Sequence, residues 1–237
     1  MKEQQTIFFI KYQKKNKYIK LFYTKNFFLV NTLAFDTMHS STLKISEEKI
    51  VMVDTNVNHK DNIQFSGLLI DEQVEKIYKK LEIFLKEISV LYSKPVVVCV
   101  HPSQNLNEIK KYMPEFEIVK YKTRENIYKA FLVFFYDSSA IVDAYLLKKR
   151  LVVLENALMG KSLTILSKTY PFKTGVKKIN LQEKLNINDK ELFLKNIEEA
   201  NKSKKYIDFI ENNLQPDGVD NGSKKIINII KNNLFIK

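Results

Sequence analysis

Residues 96–102 read Val-Val-Val-Cys-Val-His-Pro, and residues 131–140 read Phe-Leu-Val-Phe-Phe-Tyr-Asp-Ser-Ser-Ala. Each holds an apolar run that reads as a strand, 96–100 being of the kind buried on both faces, and each ends in a polar loop. Between and around them helical and strand signals alternate. Ser103 reads as the cap of a helix, 116–119 as a strand and 124–129 as a short helix. The strand 131–136 follows, then a helix capped by Ser138 or Ser139 and running through Lys149, then a strand over 151–154. Strand and helix alternating at this spacing predict an α/β fold, a parallel sheet wound with helices.

The same reading extends outward. Upstream, Ile50-Val51-Met52-Val53-Asp54 reads as a strand ending in an acidic loop. Apolar residues at Val74, Ile77, Tyr78, Leu81, Leu85 and Ile88 then line one face of a long helix over 72–92. Residues 6–35, rich in Phe, Ile, Tyr and Leu with polar breaks, read as two or three strands joined by turns, with no helix. Downstream, 191–199, 204–213 and 223–234 read as helices, the last following the turn Pro216-Asp217-Gly218.

Composition narrows the function classes. The 237 residues are 45% hydrophobic and 28% charged, an ordinary globular balance that can bury one large core or two small ones. No apolar run approaches the ~20 residues of a membrane span, and the opening Met1-Lys2-Glu3-Gln4-Gln5 leaves no room for a signal-peptide core. A cytoplasmic location is expected. The net charge of +12 suits nucleic acid, an anionic membrane surface or phosphorylated substrates. Only 11–25 interleaves lysines with aromatics (Tyr12, Tyr18, Phe22, Tyr23), and no nucleic-acid recognition motif accompanies it, so nucleic acid is set aside. The one cysteine, Cys99, sits inside an apolar run and reads as a small buried hydrophobe. His39, His59 and His101 lack ligand spacing, so no metal site is expected.

Ligands of open parallel sheets bind beyond the carboxyl ends of the strands. Two loops carry chemistry there. In His101-Pro102-Ser103 the proline biases His101 toward an extended backbone and aims its imidazole out of the strand end. In Asp137-Ser138-Ser139-Ala140 two hydroxyls and unpaired backbone N–H groups meet at a helix start, an anion site that needs no glycine-rich loop. Neither a Walker loop nor a GxGxxG fingerprint occurs. A third polar loop, residues 54–61, offers Asp54, His59 and Asp61 as candidate substrate contacts.

On the two motifs 96–102 and 131–140, followed by 144–154, the chain resembles the C-terminal domain of bacterial surface-polysaccharide glycosyltransferases of the GT-B type. In motif style it is similar to the sialyltransferase and polysialyltransferase group, with its HP motif and later SS or ST motif, and to CDP-glycerol glycerophosphotransferases. The resemblance implies a Rossmann-like domain over 46–237, preceded by a β-rich segment 1–45 that is a remnant of the other GT-B half. It implies that His101 and Pro102 meet the donor's phosphate region, with His101 assisting leaving-group departure, and that Ser138 and Ser139 hold phosphate. A nucleotide-sugar, CMP-type in the first instance, is then a co-substrate, and no cofactor is called for. The acceptor is a glycan or lipid-linked glycan of capsule or lipopolysaccharide synthesis, reached by peripheral contact with the inner membrane face and in company with a partner chain or second copy. The family's acidic motif for acceptor deprotonation is not found in these 237 residues. Two alternatives therefore stand beside the transferase: a non-catalytic nucleotide-binding or scaffold half, and a glycerophosphotransferase.

Overall fold

The computed structural model describes residues 31–57, 71–183, 189–216 and 221–234. Contacts group the chain into two compact units: residues 43–206, and residues 1–42 with 207–237.

The larger unit is built on six parallel strands: β1 (Lys49–Val53), β2 (Val96–Val100), β3 (Glu117–Lys120), β4 (Ala130–Phe135), β5 (Arg150–Glu155) and β6 (Lys177–Asn180). Their order is β3-β2-β1-β4-β5-β6, so the winding reverses between β1 and β4. The central strands are apolar because both sides are covered: all five residues of β2 are buried, as are Ile50, Val51, Met52 and Val53 of β1. On one side, Ile50, Met52, Val98, Phe134 and Val152 pack with Ile77, Leu81, Phe84 and Leu85 of α2 (Asp71–Tyr92), Ile109 of α3 (Leu106–Tyr112) and Ile197 of α7 (Lys190–Asn201). On the other side lie α4 (Thr123–Tyr128), α5 (Val142–Leu146) and α6 (Gly160–Thr174); Phe135 of β4 meets Tyr170 of α6 edge-on at 5.1 Å between centroids. The parallel sheet wound with helices expected from the alternating runs is what forms, Rossmann-like as the resemblance implies.

Several local expectations are corrected. Helix α3 is capped by Asn105, whose Oδ1 accepts from the Asn107 N–H at 3.0 Å, because Ser103 is turned toward His101 instead. The helix expected from Ser138 or Ser139 through Lys149 is shorter: a 3-10 turn, Ser139–Ile141, leads into α5, and the chain leaves the helix where Lys148 takes a φ of 52°. Helix α6 and strand β6 were not foreseen. Pro171 stands inside α6, where a missing N–H argues against helix, and β6 is a Lys-Lys-Ile-Asn edge strand with one buried side chain. Gly175 ends α6 in the left-handed region, φ 75°, its N–H donating to Pro171 O.

In the smaller unit, α1 (Leu33–His39) overturns the strand expected to run through residue 35. Thr32 caps it, its Oγ1 accepting from the Phe35 N–H at 3.3 Å. The other expected N-terminal strands fall on residues outside those described. The chain closes with α8 (Lys204–Phe209), a π-turn over Ile210–Leu214, and α9 (Gly222–Leu234). Among the described residues no helix is long and apolar enough to cross a membrane.

Candidate functional site

Strand register decides which loops share an edge. Val53 of β1 is level with Cys99 of β2 and Phe135 of β4, so the residues that follow, Asp54-Thr55, Val100-His101 and Tyr136-Asp137, leave the sheet side by side. This is the carboxyl edge at the reversal between β1 and β4, where an open α/β sheet presents its ligand crevice. Strands about 4.8 Å apart place the His101 and Ser138 loops about 10 Å from each other across the end of β1, a span suited to an elongated anion such as a diphosphate. The two predicted loops thus leave the sheet on either side of the loop after β1.

His101 is exposed and held from behind. Its Nδ1 meets the Ser103 backbone N–H at 3.2 Å and the Ser103 hydroxyl at 2.7 Å. A backbone N–H can only donate, so Nδ1 is the acceptor and the ring proton of the neutral imidazole resides on Nε2. Ser103 Oγ in turn accepts from Asn56 Nδ2 at 2.6 Å, which leaves its own proton to point at Nδ1. The relay from Asn56 through Ser103 therefore presents Nε2–H outward, the tautomer that donates to a phosphate oxygen. Pro102 is exposed beside it.

On the other side, Ser138 Oγ accepts from the Ala140 N–H at 3.2 Å and caps the 3-10 turn, while Ser139 is exposed. Asp137 Oδ1 accepts from the Tyr170 hydroxyl at 2.6 Å. Burial, with the Asp137 carboxylate beside it, pushes the Tyr170 phenol far above its ordinary range, so it stays a donor. Asp143, in the first turn of α5, pairs with Arg124 of α4 at 2.9 Å.

Asp54, expected as a substrate contact, is drawn inward instead, with 2% of its surface exposed. Its Oδ2 accepts from Tyr78 OH at 2.7 Å and Gln104 Nε2 at 3.0 Å, and its Oδ1 from the Thr55 N–H at 2.9 Å. Burial pushes its pKa up to about 6, against the opposing hydrogen bonds from Gln104, Tyr78 and Thr55. The buried hydroxyl of Tyr136 adds a second polar group to this layer, its ionisation suppressed first by burial and then by the Asp54 charge. His59 and Asp61 lie outside the described residues. Asn56, Tyr78 and Gln104 escaped the sequence reading because nothing local marks them: Tyr78 looks like any apolar position of α2, and Gln104 gains its role only where β1 and β2 end together.

No group of three or more His, Cys, Asp or Glu side chains that could hold a metal occurs among the described residues. Cys99 is buried, and burial pushes its thiol up to about 12.

No protein-family model matches this sequence. No curated protein matches it either. Solved structures do share its fold. Staphylococcus aureus MnaA, in a co-structure with UDP, superposes with a TM-score of 0.53 at 17% identity, over 91% of this chain and 56% of that one. The UDP-GlcNAc 2-epimerase of Methanocaldococcus jannaschii, in complex with UDP-GlcNAc and UDP, gives 0.49 at 13% identity, covering 91% of this chain and 57% of that one. The wall teichoic acid polymerase TagF gives 0.41 at 14%, covering 85% and 47%. The chain spans about half the length of each of these proteins. The fold shared with MnaA is an α/β, Rossmann-like parallel sheet with helices around it.

Proposed function

We propose that this chain binds a nucleotide-activated sugar at the carboxyl edge between β2 and β4, as the donor-binding half of a GT-B-type glycosyltransferase-like protein. The observation that supports the reading is the state of His101: its Nδ1 is occupied by Ser103, which leaves Nε2–H as the donor on an exposed ring, with the Ser138 and Ser139 hydroxyls in the loop following β4 on the other side of β1. Phosphate oxygens accept from all three, and hydrogen bonds to a charged group stabilise by about 1.5–3 kcal/mol each, enough together for millimolar to micromolar affinity. In a transfer reaction His101 would donate to the oxygen that departs with the nucleotide. The motif resemblance favours a CMP donor; the MnaA co-structure makes UDP the first ligand to try beside it. A glycan or lipid-linked acceptor in surface-polysaccharide synthesis, and peripheral membrane contact through the basic surface, belong to the same proposal.

One observation favours the second reading, a binding module without transferase chemistry of its own. Asp54 and Asp137, two carboxylates at this edge, are each tied up by a tyrosine hydroxyl, which disfavours either as the base that deprotonates an acceptor.

Calorimetric titration of the chain with UDP, CMP, CDP and GDP tests the reading. Selective binding is expected, weakened roughly tenfold by His101→Ala and by Ser138→Ala/Ser139→Ala in folded protein. Affinity equal in the wild type and both variants would place the nucleotide elsewhere and sink the assignment.

A further inference from the structure

His101 stands one residue beyond β2, where the strand ladder has ended and its backbone N–H must find a partner off the sheet. That partner is Gln104 Oε1, at 2.7 Å. A backbone N–H only donates, so the amide orientation of Gln104 is fixed and Nε2 points inward. There Nε2 reaches Asp54 Oδ2 at 3.0 Å, Tyr78 OH at 2.7 Å and Thr55 O at 3.4 Å. The turn is also closed by Gln104 N–H donating to His101 O at 2.9 Å. A continuous path thus runs from a buried carboxylate at the end of β1, through one amide, to the backbone of His101, whose ring is exposed. Gln104 and Asp54 are 5% and 2% exposed, so neither touches a bound ligand directly.

A buried carboxylate is costly, and an apolar side chain of similar size would pack here at less expense. What an apolar pair would lack is direction: Asp54 accepts from Gln104 along one line, and that line fixes the height of the His101 backbone above the sheet. We propose that Asp54 and Gln104 form a clamp that sets the position of the His101 loop, making both positioning residues for the group that meets the donor phosphate. The inference rests on the nucleotide-binding reading for its consequence, and on the Asp54–Gln104–His101 hydrogen bonds for its geometry. Four groups face the Asp54 carboxylate: the Tyr78 hydroxyl, the Gln104 amide, the Thr55 N–H and, through space, the Tyr136 hydroxyl.

The clamp predicts a charge-swap rescue. Gln104→Glu keeps an acceptor for His101 N–H but sets a second carboxylate against Asp54, while Asp54→Asn alone keeps an acceptor for Gln104. When the two substitutions are combined, the amide nitrogen introduced on β1 can donate to the carboxylate introduced after β2, and the amide oxygen can accept from Thr55 N–H. The path is then rebuilt with the link between positions 54 and 104 reversed and the link to His101 N–H unchanged. Two quantities are read on the whole chain at pH 7.5: hydrogen exchange of the His101 amide by NMR, and UDP affinity by calorimetry, with melting temperature followed alongside. Gln104→Glu and Gln104→Leu are expected to speed His101 exchange and weaken UDP by roughly tenfold each, Asp54→Asn to change either by less than about threefold, and the double variant to return within about threefold of wild type. Gln104→Leu folded and unchanged in both readouts, or a folded double variant no better than Gln104→Glu, overturns the clamp. Should wild type fail to bind any nucleotide, the functional reading falls and the His101 amide alone decides the clamp.

Discussion

Lys149 shows how a single side chain can hold three elements. It is 6% exposed, and its ammonium donates to Ser46 O at 2.8 Å, Tyr128 O at 2.9 Å and Ala130 O at 2.9 Å, joining the approach to β1, the end of α4 and the start of β4. All three of its protons are used, which is how a buried cation is tolerated; burial still holds its pKa below the ordinary lysine value. Asp54, at the opposite edge of the sheet, behaves in the contrary sense. Its pKa is raised from 3.8 to about 6, so the folded state holds its proton more tightly than the unfolded chain. The stability that follows is fully present below 3.8 and lost as pH rises through about 6. Asp54→Asn removes that penalty. Urea unfolding is expected to show the variant gaining on wild type by about 2 kcal/mol between pH 4.5 and pH 7.5. A difference independent of pH would mean that Asp54 titrates alike in both states.

At the scale of elements, the start of α9 shows a cap supplied by a distant helix. Asp36 of α1 accepts from Gly222 N–H at 2.8 Å, Ser223 N–H at 2.8 Å and Ser223 Oγ at 2.6 Å, so a carboxylate satisfies donors that a helix start leaves open. Burial pushes the Asp36 pKa up, but the Ser223 side chain, the two amides and nearby His39 outweigh it and hold the pKa below 3.8. Its contribution is therefore present above 3.8 and lost as pH falls through the depressed value. Gly222 is required for a different reason: a Cβ there would collide with Asn31 O, and that neighbour is backbone. Asp36→Ala is expected to cost about 2 kcal/mol in urea unfolding at pH 7. Gly222→Ala should be at least as damaging, and faster exchange of the α9 amides would be the local signature of both. If Asp36→Ala leaves stability and exchange unchanged, the cap is not formed in solution. In the larger unit, Lys148 takes a left-handed φ of 52° to end α5, a conformation glycine would adopt without strain.

At the scale of the whole chain, 39 Lys and Arg against 27 Asp and Glu leave +12, a field that draws anions toward any open cleft. UDP affinity is accordingly expected to fall severalfold between 50 and 500 mM NaCl as the Debye length shrinks from roughly 14 to 4 Å. Affinity flat across that range would show that only short-range contacts matter. The apolar run 96–100 was legible as a doubly buried strand and 131–136 as a strand, because continuous β-branched and aromatic residues have few other places to go. His101 and the Ser138–Ser139 pair were legible as candidates because each follows such a run directly, and a strand's end is a local property. Strand order, the register that sets Asp54, Val100 and Tyr136 level, and the identity of Asn56, Tyr78 and Gln104 as the layer behind the His101 loop were not legible. Those depend on which strands neighbour each other across separations such as the 47 positions from Asn56 to Ser103. Sequence alone thus determined the α/β class and the two loops that carry the candidate chemistry, since periodicity and strand-end residues are encoded locally. Only the tertiary structure decided that Asp54 turns inward and that His101 presents Nε2–H, because both outcomes arise from hydrogen bonds between segments that meet only when the sheet is assembled.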